Sequence, residues 1–550
     1  MADKTLTPEQ KKAIETDGSL IVSAAAGSGK TFVLVERIIN KLLREDNPVS
    51  VDRLLIVTFT RAAANEMRQR LGVALEKKIA EDPTNVFLQR QQAMLPLAEI
   101  CTMDQYFNSL VKDNFHRLKI TPDFRMLDES EADMLSDEAL DEVIEEAYEG
   151  ERELFDRLLK DLGCEKDDKT LSQSIKKLNK YANSYPYPEK WLEEISQSYT
   201  QEKKPQDTVF GEILLEKAVR YSSYAIKQLN YGIDLVRDIP ELDKLLPLLS
   251  EEEVQAQSIK DAAEKKAWHE LYTLSRTLKF ARYPSSFPKN TDGMYERIYA
   301  KTLRDSAKDI ITDVASCICA DENDFINDIA EFSVVVPELI KIIMAYRERY
   351  AQKKAEINAL GFDDVTHLAL NLLVENGEYT DIARELREKY DEILIDEYQD
   401  TNSTQDTIFS ALSKDETNLF VVGDVKQSIY GFRLAMPEIF LNRIKKQKQS
   451  TDPKKIFVNL DKNFRSRKEV LEGSNYIFRK LMNEHTGNII YDEKESLKAG
   501  ATYPETDIPK VEMYVLDKKK IGEKKTSEID FVADKIEELL RFGVVFDPDS

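Results

Sequence analysis

Cysteine and histidine are both scarce in this chain of 550 residues, which contains four of each. The cysteines are Cys101, Cys164, Cys317 and Cys319, and the single residue between the last two does not match the two-residue gap of a zinc or redox pair. This pattern argues against a disulfide framework and against a cysteine-ligated metal. We therefore expect reduced cysteines and a cytoplasmic location.

Long apolar runs are also missing from the sequence. A membrane-spanning helix needs about 20 consecutive apolar residues, whereas the richest stretch, residues 332–346, is interrupted by Pro337, Glu338 and Lys341. The first residues, MADKT, carry no apolar segment of a secretion signal. We predict that the chain has no membrane span and no membrane partner.

Positive charge is in deficit. The chain has 78 Lys and Arg residues and 101 Asp and Glu residues, so its net charge is −23. A protein that wraps nucleic acid by bulk basic charge is thereby disfavoured, although a local DNA site is still allowed. Residues 131–156 hold twelve of the acidic side chains and a single base, Arg152, and their apolar residues keep a helical spacing. We interpret this run as the solvated face of a surface helix.

Short β-branched runs predict the buried strands of a parallel sheet at residues 20–22, 54–57, 392–395 and 419–422. The first two runs are followed by helical patterns, and this alternation indicates an α/β core. Between about residues 116 and 385 helical patterns dominate instead. An α/β pattern resumes near residues 456–458 and 511–516, and a helical pattern covers residues 529–540. The predicted fold is therefore α/β with a large helical insertion.

A glycine-rich segment, SAAAGSGKT at residues 23–31, lies between a predicted strand and a predicted helix. Glycines allow backbone N–H groups to turn inward around phosphate oxygens, and the helix that follows directs its positive end at the anion. Lys30 would reach the β- and γ-phosphates and Thr31 would hold Mg²⁺. The segment predicts a P-loop NTPase with ATP and Mg²⁺ as cofactors. Its candidate ATP-binding residues are Ala24, Ala25, Ala26, Gly27, Ser28, Gly29, Lys30 and Thr31.

Two carboxylates follow the third predicted strand. Asp396 would hold Mg²⁺ through water, and Glu397 would orient and deprotonate the attacking water. An Asp-Glu pair at a strand end is common on its own, but ATP hydrolysis needs a phosphate loop, a metal ligand and a base. We therefore predict that folding brings these carboxylates to Lys30.

Five blocks in a fixed order resemble the motifs of superfamily 1 DNA helicases of the UvrD/Rep type. They are LTPEQ at 6–10, TFTRAAANEM at 58–67, DEYQDT at 396–401, VGDVKQSIYGFR at 422–433 and LDKNFRS at 460–466. Within that group the chain most resembles the AddA (RexA) family of helicase–nuclease subunits. The stretches that carry this closer resemblance are VGDVKQSIY at 422–430, DFRMLDE at 123–129 and FDDVTHLAL at 362–370.

The resemblance implies RecA-like domains and roles for further residues. A RecA-like domain 1A would comprise residues 1–115 and 385–445, a helical domain 1B residues 116–384, and the start of a second RecA-like domain, 2A, residues 446–550. Gln10 would read the adenine edge and Phe464 would stack on the base. Gln427 would report the γ-phosphate, and Arg465 would neutralise transition-state charge.

An aromatic group is the candidate DNA-binding site. Phe59, Tyr430 and Phe432 would stack on bases and Arg433 would contact the strand, and such stacking tolerates any sequence. Two alternatives stay open, namely that these aromatic side chains belong to the core and that Arg465 makes an ordinary surface ion pair.

The resemblance also implies a function, an ATP-dependent 3′→5′ DNA translocase or helicase that acts on single-stranded and double-stranded DNA ends. It further implies a heterodimer with an AddB/RexB-type partner, and double-strand break repair by homologous recombination. Motifs V and VI and the nuclease signature are not found after Arg465. We therefore expect the N-terminal part of a longer protein, with exonuclease activity in a C-terminal domain.

Three other functions are weighed against this expectation. The first is a truncated module that binds ATP and DNA without turnover, and the second is a UvrD/RecB-type helicase without its own nuclease. A P-loop kinase or transporter ATPase would explain the glycine-rich segment but not Gln10, Gln427 or Arg465.

Overall fold

A computed structural model describes residues 6–150, 152–164, 167–199, 203–284, 293–503, 511–516 and 528–542 of the chain. Two compact units are present, one made of Met1–Asn114 with Leu368–Ser550 and the other of Phe115–His367. The second unit is thus a continuous insertion into the first. The domain boundaries that we proposed from the sequence, at 115/116 and 384/385, stay a prediction.

The first unit is built on a six-stranded sheet with the spatial order β6-β1-β5-β4-β2-β3. Every neighbouring pair in this sheet is parallel. The strands are β1 Ser19–Ala24, β2 Leu54–Thr58, β3 Glu99–Thr102, β4 Glu392–Ile395, β5 Leu419–Gly423 and β6 Lys455–Leu460. The predicted α/β class with a parallel sheet is confirmed, and the four predicted strands coincide with β1, β2, β4 and β5.

Burial explains why these short runs form strands. Every residue of β2, β4 and β5 is buried, as expected when helices cover both faces of a parallel sheet. Because the strands are parallel, their carboxyl ends lie at one edge of the sheet, where ligand sites of open α/β sheets are found. The segments that follow β1, β2, β4 and β5 all carry predicted site residues.

Helices and short strands complete the first unit. Its helices are Pro8–Glu15, Lys30–Leu42, Arg61–Glu81, Val86–Met94, Met103–Asp113, Asp381–Lys389, Ser403–Leu412, Pro437–Gln449, Lys468–Leu481, Glu484–Gly487 and Glu528–Phe542, and Phe362–Leu373 begins in the second unit and ends in the first. Short 3₁₀ helices are Val51–Arg53, Leu95–Leu97, Tyr398–Asp400, Val425–Gln427 and Gly431–Arg433. Two-residue strands pair Lys462–Asn463 with Lys498–Ala499 and Val374–Glu375 with Glu378–Tyr379.

The second unit is almost entirely helical, as predicted for the insertion. Its helices are Phe115–Leu118, Glu129–Glu149, Arg152–Asp161, Lys169–Ala182, Pro188–Ser198, Val209–Val236, Leu246–Glu264, Trp268–Thr277, Met294–Cys317 and Glu322–Glu356, with 3₁₀ helices Pro205–Asp207 and Pro240–Leu245. One short parallel pair joins Arg125–Met126 to Ala359–Leu360.

The acidic run forms the helix Glu129–Glu149, and only part of it is a solvated face. Its apolar stripe, which includes Leu140 and Val143, is buried in the core of the unit. On a neighbouring face Arg349 donates hydrogen bonds to the carboxylates of Glu142 and Glu146. Part of the acidic charge is therefore matched by the neighbouring helix Glu322–Glu356.

Two observations concern the end of the chain. β6 pairs with β1 along six residues and so belongs to the first sheet, whereas the assignment of residues 446–550 to the start of a second RecA-like domain stays a prediction. Residues 511–516, which we expected to continue an α/β pattern, form no strand in the described part of the chain. The predicted helix at 529–540 is present as Glu528–Phe542.

Membrane and metal signals are absent from the part of the chain that the structure describes. None of the described helices combines the length and the apolar character that crossing a bilayer requires. Within the same residues, no cluster of three His, Cys, Asp or Glu side chains has the arrangement of a metal site. The four cysteines are all free, with Cys164 buried and Cys319 exposed.

A buried arginine connects three segments of the first unit. Arg37 donates to Glu392 Oε1 through Nη2 at 2.6 Å and through Nε at 3.0 Å, and both side chains are almost fully buried. Its Nη1 donates to the backbone oxygens of Ala13 and Thr16 at 2.6 and 2.8 Å. The guanidinium thereby ties the helix Pro8–Glu15, the helix that follows the glycine-rich segment, and the start of β4.

We predict that Arg37→Met destabilises the first unit by about 3–5 kcal/mol, because it leaves the Glu392 carboxylate buried without its main partner. Urea unfolding measures this change. The matched control is Arg44→Met, which removes the more exposed pair with Asp17 and should cost less than about 1 kcal/mol. Equal effects of the two substitutions would contradict the prediction.

Candidate functional site

The glycine-rich segment forms a tight loop between β1 and the helix Lys30–Leu42. Gly27 and Gly29 have φ angles of +67° and +84°, which only glycine adopts readily. The Ser28 N–H donates to the Ala25 carbonyl at 3.1 Å and closes the turn. The predicted loop is thus followed directly by the positive end of a 13-residue helix.

The loop contains one buried polar group that no described residue satisfies. Ala24 ends β1, the Ala25 N–H donates to Leu460, and Thr31 is half-buried on the first turn of the helix. The Ser28 hydroxyl is buried and has no hydrogen-bond partner among the described residues. A buried hydroxyl without a partner is costly, and an oxygen-rich ligand in the loop would satisfy it.

Gln10 lies against this loop and is buried. It closes a capping box with Thr7, in which its Oε1 accepts from the Thr7 N–H at 3.1 Å. Its Nε2 donates to the Ser28 carbonyl at 3.2 Å. The Nε2 group carries a second N–H that could donate to a base, and the adenine contact of Gln10 stays a prediction.

The two distant halves of the predicted site meet. Lys30 Nζ donates to both carboxylate oxygens of Glu397 at 2.9 Å, across 367 positions of sequence. Burial raises the pKa of Asp396 to about 6, and the charge of Glu397 adds to this shift while Lys30 opposes it. Glu397 itself has a φ of +53°, an unusual backbone conformation that often marks functional positions.

Residues 463–465 complete the wall of the loop. Asn463 Nδ2 donates to the Ala26 carbonyl at 2.7 Å, and the Phe464 N–H donates to the Gly27 carbonyl at 2.8 Å. The Phe464 ring packs against Gly500, and Arg465 is exposed beside the loop. Phe464 and Arg465 therefore lie where the resemblance implies a nucleotide contact.

The block after β5 is connected to the carboxylates. Gln399 is buried, its Nε2 donates to Glu397 Oε2 at 2.8 Å, and its Oε1 accepts from the Asp424 N–H at 2.9 Å. Gln427 Nε2 in turn donates to Asp424 Oδ2 at 2.7 Å. Gln427 is thus held near the site through Gln399 and Asp424.

The four predicted DNA-binding residues form one row. The rings of Phe59 and Tyr430 are 4.6 Å apart, and those of Tyr430 and Phe432 are 5.8 Å apart. The Arg433 guanidinium lies over both Tyr430 and Phe432 at 5.5 and 5.8 Å. Phe432 is 68% exposed, so it does not belong to the core.

A family model for the N-terminal domain of UvrD/REP helicases matches residues 6–448. This chain belongs to that family. The matched range contains the phosphate loop, the carboxylates and the aromatic row, and it ends just before β6.

Relatives among curated proteins are named as the A component of an ATP-dependent helicase/nuclease. The chain is 38% identical to the protein of Lachnoclostridium phytofermentans over 92% of its length, 36% to that of Bacillus cytotoxicus over 91%, and 34% to that of Listeria monocytogenes over 95%. The alignments cover 38%, 41% and 43% of these relatives. The chain therefore spans about two fifths of the length of the relatives it matches.

Sequence reasoning missed Gln399, Asn463 and Arg37 as residues that shape the site of this UvrD/REP-type chain. Gln399 and Asn463 stand inside blocks that carry the resemblance, and for Gln399 its position between Glu397 and Asp400 was the available signal. Arg37 had no local signal, because its partner Glu392 is 355 positions away.

We predict that Gly27→Ala destabilises the loop by about 1–2 kcal/mol and weakens ATP binding, because φ is +67° and the new Cβ would lie 2.6 Å from Asn463 Nδ2. Isothermal titration with ATP and thermal unfolding measure the two effects. Gly72→Ala is the control, since its Cβ would meet only Leu95 at 3.5 Å. Unchanged ATP affinity in Gly27→Ala would contradict this account of the loop.

Proposed function

We propose that this chain is the ATP-dependent motor portion of a 3′→5′ DNA translocase or helicase. The observation that carries the proposal is that Lys30, Glu397 and the aromatic row all follow carboxyl ends of strands in one sheet, with residues 396–433 joining them. A site for nucleotide hydrolysis and a surface for bases are thereby built on the same loops. Membership of the UvrD/REP family supports this combination.

The residues present fit ATP and Mg²⁺. The loop offers the buried Ser28 hydroxyl, the N-terminal end of the helix Lys30–Leu42 follows it directly, and Lys30 adds positive charge. Burial raises the pKa of Asp400, like that of Asp396, to about 6, and the positive charge of Lys30 only partly opposes the shift at both carboxyl groups. Thr31 and Asp396 would hold the metal ion. When bound, ATP supplies the phosphoanhydride bond whose hydrolysis drives the motor.

Each catalytic residue of the proposal has a defined starting position. Glu397 is the base, and its carboxylate accepts from both Lys30 and Gln399. Lys30 must leave Glu397 before that carboxylate can accept a proton from water. Gln427 and Arg465 would act on the transferred phosphoryl group, which in this class of reaction is stabilised by positioned donors and arginine.

The aromatic row is suited to a motor that steps along any sequence. Base stacking contributes about 1–3 kcal/mol per base and does not read base identity. Tyr430 and Phe432 lie on the block that also carries Gln427. A displacement of Gln427 at the nucleotide site would therefore move the aromatic row through a short stretch of chain. ATP turnover and movement along single-stranded DNA would be coupled in this way.

The wider role is proposed from the relatives. Their names, which describe one component of a helicase/nuclease, support an AddA-type protein that acts on DNA ends together with an AddB/RexB-type partner. Such a protein would act in the cytoplasm, in double-strand break repair by homologous recombination.

A module that binds ATP and DNA without turnover is the alternative. It is favoured by one observation, that Glu397 and Gln427 are both engaged by protein partners in this structure. A UvrD/RecB-type helicase without its own nuclease would have the same motor and would differ only in the domains or partners attached to it. The experiments below therefore apply to it as well.

We predict that the chain hydrolyses ATP and that single-stranded DNA stimulates the rate, because the two sites share loops. Lys30→Ala should abolish turnover by removing the phosphate contact. Phosphate release with and without DNA measures both effects. Lys11→Ala, which removes an exposed lysine paired with Glu15, is the control for charge loss. Binding of ATP and DNA without turnover would favour the binding module instead.

We predict that Phe432→Ala weakens binding of single-stranded DNA by about 5- to 150-fold, the equivalent of one lost stacking contact. Fluorescence anisotropy with labelled oligonucleotides of mixed sequence measures the change. Tyr476→Ala is the control, because Tyr476 is 65% exposed on a helix of the same unit but lies outside the row. Equal losses in both variants would argue against a dedicated DNA surface.

A further inference from the structure

Gln427 is positioned by a carboxylate that is itself shared. Asp424 is buried, and its Oδ2 accepts from Gln427 Nε2 at 2.7 Å. Its Oδ1 accepts from the Lys426 backbone N–H at 3.1 Å and from Lys426 Nζ at 3.0 Å. Lys426 therefore engages Oδ1 of Asp424, and Gln427 engages Oδ2.

Lys426 connects this carboxylate to a second one. Its Nζ donates to Glu495 Oε2 at 2.9 Å, and the Lys426 side chain is 11% exposed whereas that of Glu495 is 34% exposed. Burial lowers the pKa of Lys426, but the charges of Asp424 and Glu495 outweigh burial and raise it. The lysine is thus a charged link between two carboxylates.

Glu495 is carried by a segment that is fixed elsewhere. The buried Asn475 accepts from Tyr491 Oη at 2.6 Å and from the Leu497 N–H at 2.9 Å, and it donates to the Leu497 carbonyl at 3.0 Å. These bonds hold residues 491–497 to the helix Lys468–Leu481. The backbone that carries Glu495 is therefore held by the helix Lys468–Leu481, independently of the Lys426 side chain.

The same segment is connected to the phosphate loop. Lys498–Ala499 pairs with Lys462–Asn463, and Asn463 donates to the Ala26 carbonyl. Residues 461–499 thus contact the site at two places, at the loop through Asn463 and at the block after β5 through Glu495. A movement of these residues relative to β5 changes the Lys426–Glu495 distance.

We propose that Lys426 and Glu495 are positioning residues that aim the Gln427 amide through Asp424. The proposal rests on the proposed function, in which Gln427 acts during hydrolysis. With Glu495 in place, the ammonium is drawn to the Oδ1 side of Asp424, and Oδ2 is left to accept from Gln427. Without Glu495, the ammonium can shift toward Oδ2 of Asp424, where it competes with the Gln427 amide for the same oxygen and turns that amide away from its present direction.

The first experiment measures the position of the block without requiring catalysis. Glu495→Gln keeps the size of the side chain and removes its charge, and Glu493→Gln makes the same change at an exposed site two residues away. Hydrogen exchange of the peptide 424–430, read by mass spectrometry in the nucleotide-free chain, should rise about tenfold in Glu495→Gln and stay unchanged in Glu493→Gln. Unchanged exchange in Glu495→Gln would overturn the proposal.

The second experiment is a double-mutant cycle on DNA-stimulated ATP hydrolysis. Glu495→Gln should lower kcat about tenfold with KM within about twofold, because it alters the aim of Gln427 and not the binding of ATP. In a Gln427→Ala background the same substitution should have no further effect. Losses that multiply would overturn the proposal. Failure of the unsubstituted chain to turn over ATP would count against the proposed function alone, since the exchange measurement still decides the positioning.

Discussion

The buried ion pair of Arg37 and Glu392 is the constraint on which the candidate site depends. Arg37 lies about 10 Å along its helix from Lys30, and Glu392 lies about 13 Å along β4 from Asp396. The Arg37–Glu392 pair and the Lys30–Glu397 contact therefore join the same helix to the same strand and its following turn at two places. The same guanidinium also holds the end of the helix that carries Gln10.

Features with a local pattern could be predicted from the sequence. Each of the strands β1, β2, β4 and β5 is a short apolar run that is buried on both faces, and parallel pairing places their carboxyl ends at one edge. The need of ATP hydrolysis for a phosphate loop, a metal ligand and a base was enough to predict that the carboxylates meet Lys30, as the contact with Glu397 shows. The grouping of Phe59 with Tyr430 came from the resemblance. The resemblance added Gln427, Phe464 and Arg465, which no pattern of burial or spacing marks.

Features that depend on distant partners could not be predicted. Strand β3 has a mixed burial pattern at the sheet edge, so its residues resemble a loop in sequence. Strand β6 was recognised as a strand, but its own residues do not specify that β1 is its neighbour. Gln399 and Asn463 acquire their roles from Asp424 and Ala26, 25 and 437 positions away. The net charge of −23 does not describe the surroundings of the candidate site, because residues 131–156, with twelve acidic side chains and one base, lie in the unit that carries none of the predicted site residues.

The insertion of the helical unit has a consequence for the order of events during synthesis. Glu397 is made 367 residues after Lys30, which at ribosomal rates of about 5–20 residues per second is a delay of roughly 20 to 70 s. During that interval β1 and β2 have no β4 or β5 to pair with, whereas Phe115–His367 is continuous and available to fold as it emerges. The apolar faces of β1 and β2 are exposed during this time, so the nascent chain offers a site for chaperones before it offers one for ATP.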